Sequence, residues 1–376
     1  MATVARWPGP LPRKSVLAYS TIELEVRNEE HRGALVRLWS ENLPHHERVG
    51  QVARERLQWL YDDNPAGPPR TLLALHVEQN QIIGCGSTLR RRMWALGRMI
   101  DTGMPCDFAV TKKHRVGGAA IGIQRALVDG SNAAGLAFLC GSPNKKSLPI
   151  VKRVGYHVIG DAHAWVKPLR SAYKLRAYLK HPLLAQLAGP VVDLALRSLD
   201  LVRVPPRRAW VGELVDRADD RFDGLWDRAR ERYMIMGEKT SAFLNWRYGG
   251  FTTERYRMFA LTAKDGGALA GFVVFYTRPD GKVFVVDLFA EDLQATLDQL
   301  MMGFARAMRR EGHTSIYLNY VGNGAFGERL KRAGFFRTTD LKRSLVVYFE
   351  KGAPDALADG LLKRDNWLMF DGDMDI

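Results

Sequence analysis

The sequence predicts an α/β (α+β) protein of two tandem domains, each a mixed, mostly antiparallel sheet flanked by helices. Two observations carry that prediction. One is an internal repeat that spans nearly the whole chain, and the other is a regular alternation of strand and helix signals inside each copy. A chain of 376 residues is also long enough to bury two hydrophobic cores.

The repeat is carried by rare residues. Leu38-Trp39 recurs as Leu225-Trp226, and Leu57, Trp59 and Tyr61 recur as Leu244, Trp246 and Tyr248, all 187 positions apart. Gly84, behind Ile82-Ile83, recurs at the same offset as Gly271. Asp107 pairs with Asp287 at an offset of 180, and Asn144 with Asn323 at 179. Lys152-Arg153-Val154-Gly155-Tyr156 matches Lys331-Arg332-Ala333-Gly334-Phe335, again at 179. The step of seven to eight residues falls between Gly84 and Asp107, which predicts hairpins of different length in the two copies. The division expected from this is a first domain over 21–168, a helical linker over 169–208, a second domain over 209–351 and a C-terminal tail over 352–376.

Within the first copy, Ile22 to Val26 reads as a strand and Glu29 to Ser40 as a helix. Thr71 to Val77 and Ile82 to Leu89 are β-rich runs around a polar turn at Gln79-Asn80, a hairpin signal. Phe108 to Val110 is a short strand that leads into a Gly-rich turn and a helix. In the second copy, Ala270 to Tyr276 and Val283 to Phe289 flank Pro279-Asp280-Gly281, residues that build turns. Leu293, Leu297, Leu300, Met301, Phe304 and Met308 then follow at helical spacing, Ser315 to Tyr320 as a strand and Ala325 to Ala333 as a helix.

Composition narrows the function classes. Apolar residues make up 46% and charged residues 26%, as in ordinary globular protein, and no apolar run reaches the length of a spanning helix. The stretch from Met1 to Lys14 lacks the apolar centre of a secretory signal. Cys85, Cys106 and Cys140 are too scattered for a disulfide framework or a metal site, so free thiols, no metal and a cytoplasmic location are expected. The excess of 55 Lys+Arg over 41 Asp+Glu, +14, favours anionic partners. No basic motif interleaved with aromatics points to nucleic acid.

The segment from Asp107 to Gly122 carries most of the functional information. A short apolar strand (Phe108, Ala109, Val110) is followed by basic residues, then by Arg115-Val116-Gly117-Gly118-Ala119-Ala120, which opens a helix. Glycines let phosphate oxygens approach backbone N–H groups, the helix start adds its positive end, and Arg115 adds a fixed charge. A diphosphate site follows. It is not the dinucleotide fingerprint, whose G-x-G-x-x-G spacing is absent.

Arg115, Gly118 and Ala120 form an R-x-x-G-x-A pattern that resembles the acyl-CoA pyrophosphate loop of the GNAT N-acetyltransferase superfamily. The strand Leu136 to Cys140, Asn144 and Gly155-Tyr156 match further family marks at the right separation, and the tandem resembles double-GNAT proteins of bacterial polysaccharide clusters. The resemblance implies acetyl-CoA or another acyl-CoA as cosubstrate, with Phe108 to Val110 pairing with the pantetheine arm. It implies a small amine as acceptor, of which an amino sugar is one form. Alternatives are an aminoacyl or long-acyl transferase and a non-catalytic acyl-CoA-binding or scaffold protein. In the second copy the matching loop has no glycine and places Glu291 and Asp292 at the helix start, where they would repel a diphosphate.

Acyl transfer needs an oxyanion donor, a base for the amine and an acid for the thiolate. The family's usual Tyr acid falls at Val151 here, and at Leu330 in the second copy. Asp107, Asp101 and His114 are the candidate bases, and Asp107 and Asn144 are the residues kept as catalytic. Asn144 either orients the pantetheine or caps a helix, and Ser147 one turn on is equally open. The paired Trp-x-Tyr motifs are expected to be aromatic packing anchors. Asp371, Asp373 and Asp375 are expected to be a solvated acidic end that Trp367 could dock. Tyr173 to Leu201, interrupted at Gly189-Pro190, is expected to form two helices bridging the domains, with an amphipathic hairpin on an anionic membrane as the competing reading.

Overall fold

The computed structural model describes residues 19–42, 51–115, 118–171, 182–206, 209–251, 254–264, 267–338 and 343–374. Val116 and Gly117, the terminal segment Met1 to Lys14, residues 172–181 and Asp375 lie outside them.

The first half runs β1 (Tyr19–Glu23), α1 (Glu29–Asn42), α2 (Gln51–Leu57) leading into a π-turn (Gln58–Asp62), β2 (Arg70–His76), β3 (Gln81–Ala95) and β4 (Arg98–Val110). It continues with α3 (Ala119–Asp129), β5 (Leu139–Gly141), α4 (Leu148–Arg153), β6 (His157–Asp161), β7 (His163–Pro168) and α5 (Pro182–Arg203). The second half runs β8 (Trp210–Val215), α6 (Asp220–Ala229), β9 (Ile235–Gly237), α7 (Ser241–Gly249), β10 (Arg257–Ala263), β11 (Leu269–Thr277) and β12 (Lys282–Ala290). Then come α8 (Ala295–Arg310), β13 (Ser315–Gly322), α9 (Gly324–Arg332), β14 (Phe336–Arg337), β15 (Ser344–Tyr348), α10 (Asp355–Leu362), β16 (Leu368–Phe370) and α11 (Asp371–Met374).

These strands form two eight-stranded, mostly antiparallel sheets, as the repeat implies. One is ordered β1-β2-β3-β4-β5-β15-β6, with β9 on β3; the other is β14-β7-β13-β12-β11-β10-β8, with β16 on β13. The halves exchange strands. β7, from the first half, pairs with β13 in the second sheet, and β15, from the second half, pairs with β5 in the first. Neither sheet is complete without the other half of the chain.

The shift in repeat offset has a structural cause. The β3–β4 hairpin spans residues 81–110, and its counterpart β11–β12 spans 269–290, eight residues fewer. The β4 strand is thus far longer than the short strand expected at Phe108 to Val110. Its hairpin turns at Leu96-Gly97, both with positive φ, as the tightest hairpins require. The added length forms an arm that clasps the second half. Met93, Trp94 and Ala95 pair with Gly237, Met236 and Ile235 of β9, and Arg92 makes a two-pronged ion pair with Glu238.

The two copies of the Trp-x-Tyr motif meet each other. Trp59 on the π-turn and Trp246 on α7 stack with centroids 4.8 Å apart. Each indole N–H donates to the other's backbone carbonyl, at 2.8 and 2.9 Å. The expectation of packing anchors is met in a particular way: equivalent residues anchor on one another, across a local twofold relationship between the repeats.

Two expectations are corrected. The acidic C-terminal end is not solvated. Trp367 is fully buried, β16 pairs with β13, and Asp373 is enclosed between Lys239 (2.9 Å) and Arg91 (3.1 Å). Apolar Leu368, Met369, Phe370 and Met374 pull the segment in, and the two cations neutralise the carboxylate there. The linker does not break at Gly189-Pro190 either. α5 continues through them with Pro190 inside it, despite the lost hydrogen bond and the ring's crowding of the carbonyl four residues back. It lies against the second sheet, with Asp200 paired to Lys167 of β7, from the first half, and to Arg309 of α8, from the second.

Lys239 also contacts Asp287 at 2.6 Å, so four buried charges, two of each sign, form one neutral cluster. Burial raises the Asp373 carboxyl, but Lys239 and Arg91 outweigh it and hold the group below the usual carboxylate range. Its contribution to stability is present above the unfolded value and fades as pH falls through the lowered folded one. Asp373→Asn leaves two cations facing one carboxylate, which costs about 3–5 kcal/mol of unfolding free energy. Urea unfolding at neutral pH measures this, and an unchanged midpoint would contradict the cluster's role.

Candidate functional site

β4 and β5 are parallel neighbours that touch at a single register point, Gly103 with Leu139, and then part. Beyond Gly103, the β5-facing edge of β4 borders an opening. β4 also bulges there: Cys85 faces Ala109 and Ser87 faces Cys106, so Gly86 opposes two residues, Asp107 and Phe108. Asp107 takes the extra position with φ +49, a conformation uncommon outside glycine but one that Asn and Asp adopt more readily than other residues. The second sheet repeats the design. β12 and β13 pair from Lys282–Ser315 to Val285–Leu318 and then part, and β12 carries its own irregularity beside Asp287. There the gap is filled by the chain itself, because β16 pairs with β13 and α11 packs on β12.

In the first sheet the gap opens into a cavity of about 690 Å³ bounded by both halves. Met104 to Phe108, Gln124, Ser142 to Asn144, Ser147 and Tyr156 line it from the first half. Arg247, Glu254, Tyr256, Tyr276 and Asp371 line it from the second. Four lining polar atoms are buried without a protein partner: Asp107 Oδ2, Gln124 Oε1, Ser142 Oγ and Tyr156 Oη. Native interiors pair nearly all such groups, so their convergence on one cavity marks a place built for a polar ligand.

Asp107 is held by a buried ion pair, its Oδ1 2.8 Å from Arg56. Its other oxygen is one of the unpaired four. Asp101 is exposed, His114 stacks edge-on against His76, and neither borders the cavity. Of the three candidate bases the structure therefore brings only Asp107 to the opening. Burial raises the neighbouring Cys106 thiol well above its ordinary value, and Asp107 raises it further, so the thiol stays neutral. Val151, where the resemblance would place a Tyr, is buried on the wall. Tyr156 takes up a place on the same wall. Burial pushes its phenol well above the ordinary tyrosine range, with Cys140 and Tyr348 adding to the shift, so it keeps its proton.

The glycine loop stands at the outer end of this strand. Ala109 and Val110 pair with Cys85 and Gly84, and Phe108 reaches the cavity. Arg115 turns its Nε back onto the Val110 carbonyl (3.1 Å) and so ties the loop to the strand end. Gly118 is exposed with φ +83 and precedes α3 without a side-chain cap. The first N–H groups of α3, from Ala119 and Ala120 onward, lie in the turn that has no intrahelical acceptor, and no side-chain cap meets them among the described residues. α8, the equivalent helix, differs: Asp292 accepts from the N–H groups of Gln294 (2.7 Å) and Thr296 (3.3 Å). Its own carboxylate occupies the place an anion would take.

Asn144 Oδ1 accepts from the N–H groups of Lys146 (2.9 Å) and Ser147 (3.0 Å) and from Ser147 Oγ (3.1 Å). Asn323 likewise accepts from Ala325 N–H at 2.8 Å. Asn323 thus caps α9, whereas Asn144 holds the turn that precedes α4, whose own cap residue is Ser147. Arg56, Gln124 and Ser142 were not singled out in the sequence: none is itself a motif residue, although Gln124 follows the glycine loop on α3 and Ser142 precedes Asn144. The second-half residues were equally hidden, because only the strand exchange sets them opposite the first sheet.

No family model matches the sequence, and no curated protein does. Solved structures match in fold over most of the chain. A GCN5-related N-acetyltransferase from Anabaena variabilis superposes with a TM-score of 0.61 at 11% identity, covering 88% of this chain and 72% of its own. A probable N-acyltransferase from Enterococcus faecalis gives 0.62 at 10%, with the same coverage. The N-myristoyltransferase of Saccharomyces cerevisiae, solved with myristoyl-CoA, gives 0.51 at 12%, covering 90% and 84%. The chain has the fold of GNAT acyltransferases, as two such units.

The unpaired Tyr156 hydroxyl has a measurable consequence. Tyr156→Phe removes a buried polar group that no protein atom satisfies, so the variant should be as stable as the parent or more so, by about 1 kcal/mol. A lower midpoint in thermal or urea unfolding would show that the hydroxyl is paired after all.

Proposed function

We propose that the protein is an acyl-CoA-dependent N-acyltransferase whose site is the opening between β4 and β5. The single observation that carries this reading is that opening, walled by a free strand edge and four unpartnered polar atoms, with an uncapped helix start beside it. A pantetheine arm is a chain of amides, and an open strand edge satisfies such groups by strand-like pairing. Gln124 Oε1 supplies a further acceptor for an amide N–H. Gly118 and the first turn of α3 take the diphosphate, with Ala119 and Ala120 offering backbone N–H groups to it. Val116, Gly117 and Arg115 belong to the same loop.

In the transfer, a backbone N–H at the β4 bulge faces the thioester carbonyl and stabilises the negative charge that develops on its oxygen. Asp107 Oδ2 receives the proton of the attacking amine, directly or through water. The amine nitrogen forms the new C–N bond as the C–S bond breaks, and Tyr156 donates its proton to the departing thiolate. The acceptor enters from the second half, where Glu254 and Asp371 suit an amine and Tyr256 and Tyr276 suit the face of a ring. An amino sugar has both features.

Isothermal titration of acetyl-CoA and of free CoA into the wild type and Gly118→Glu tests the cosubstrate. Binding in the micromolar range is expected for the wild type and none for the variant, with circular dichroism verifying its fold. No binding of acetyl-CoA or a longer acyl-CoA by the wild type sinks the proposal. With an acceptor in hand, Tyr156→Phe should lower kcat by about a hundredfold and leave KM little changed. An unaltered kcat would remove Tyr156 from the chemistry.

A further inference from the structure

α5 is amphipathic in the reverse of the usual sense. Its inward stripe is Gly189, Asp193, Leu196 and Asp200, one residue per turn along one side. Both of the helix's acids are in that stripe and both are engaged. Asp193 accepts from the Ser171 N–H at 2.6 Å, and Asp200 pairs with Lys167 at 2.7 Å and Arg309 at 2.5 Å. The opposite side carries Val191, Leu194, Ala195, Ser198, Leu201 and Val202. Val191 is 69% exposed, Leu194 64% and Val202 81%, on a helix that ion pairs hold in place. Arg197, exposed, stands at one margin of this apolar strip, whereas the Arg203 guanidinium turns the other way, beside Gly334, Asp200 and Lys167.

We infer that this face of α5 rests on an anionic lipid bilayer. A strip of exposed Leu and Val with Arg197 at its margin and no outward acid is an arrangement that sinks into the headgroup boundary while its guanidinium meets a lipid phosphate. The net charge of +14 adds long-range attraction to such a surface. A second copy of the chain fits less well. A twofold contact would set this acid-free face against itself and bring arginine towards arginine with nothing to pair them. No helix among the described residues is long and apolar enough to cross a membrane, so the contact is one of lying on the surface. The inference does not depend on the proposed catalytic activity.

The test is flotation of the full-length protein with vesicles of phosphatidylcholine alone and of phosphatidylcholine mixed with phosphatidylglycerol. The wild type should float with the anionic vesicles and hardly with the neutral ones, and added salt should weaken it. Leu194→Glu combined with Val202→Glu should reduce partitioning by about tenfold or more. Arg197→Glu alone should lower the preference for anionic lipid. All three positions are exposed, so the variants should melt as the wild type does. Failure of the wild type to bind anionic vesicles overturns the inference, as does equal flotation of the double variant. A dimer in analytical ultracentrifugation that the double variant dissolves, without vesicle binding, would assign the face to a second copy.

Discussion

Lys239 is wholly buried, with the carboxylates of Asp287 and Asp373 both within ion-pair distance and Arg91 approaching Asp373 from the other side. Each charge comes from a different part of the chain: the entry to α7, the β12 strand, the C-terminal turn and the long β3–β4 arm. Taking four ions out of water is expensive, and an even number of each sign is what makes it tolerable. Burial drives the Asp287 carboxyl upward, against the pull of Lys239, while Asp373 between two cations is held down. The cluster closes the gap in the second sheet and locks the C-terminal segment inside it. That closure gives the two halves of the molecule different fates.

The halves are built to one plan and differ in what fills the fork between two parting strands. In the second sheet the chain fills it with β16 and α11, and Asp292 covers the adjoining helix start. In the first sheet no described strand or helix fills it, the helix start has no side-chain cap, and Asp107 Oδ2 has no partner among the described residues. Both forks keep an aspartate at a strand irregularity and a basic partner for it, Arg56 in one case and Lys239 in the other. Only the first is open to a ligand. Its cavity is nonetheless a shared one, since residues next to the filled fork, Asp371 and Gly372, form part of its wall.

Strand exchange makes this arrangement hard to dismantle. Because β7 and β15 lie in each other's sheets, and Trp59 and Trp246 bond reciprocally, neither half presents a finished surface of its own. The cavity wall contributed by the second half is thereby fixed relative to the fork in the first. Positioning of that kind governs how closely two reactants can be held, a large component of any transfer between them.

Local order was legible in the sequence. The repeat offsets, the turn residues and the helical spacings located most elements, and the glycine loop after Val110 located the fork's outer end, because each depends on residues near in the chain. Even the insertion between Gly84 and Asp107 was visible as a shift in offset. Its purpose was not, since pairing of Met93 to Ala95 with β9 joins residues about 140 positions apart. The same limit hid Gln124, Ser142 and the second-half wall, whose importance lies in facing one another. It also misplaced the acidic end, where charge alone suggested solvent and only the cations of Arg91 and Lys239 make burial favourable. Sequence determined the units and their number. Tertiary structure decided which fork stays open, because that depends on long-range charge pairing and strand exchange that no local pattern encodes.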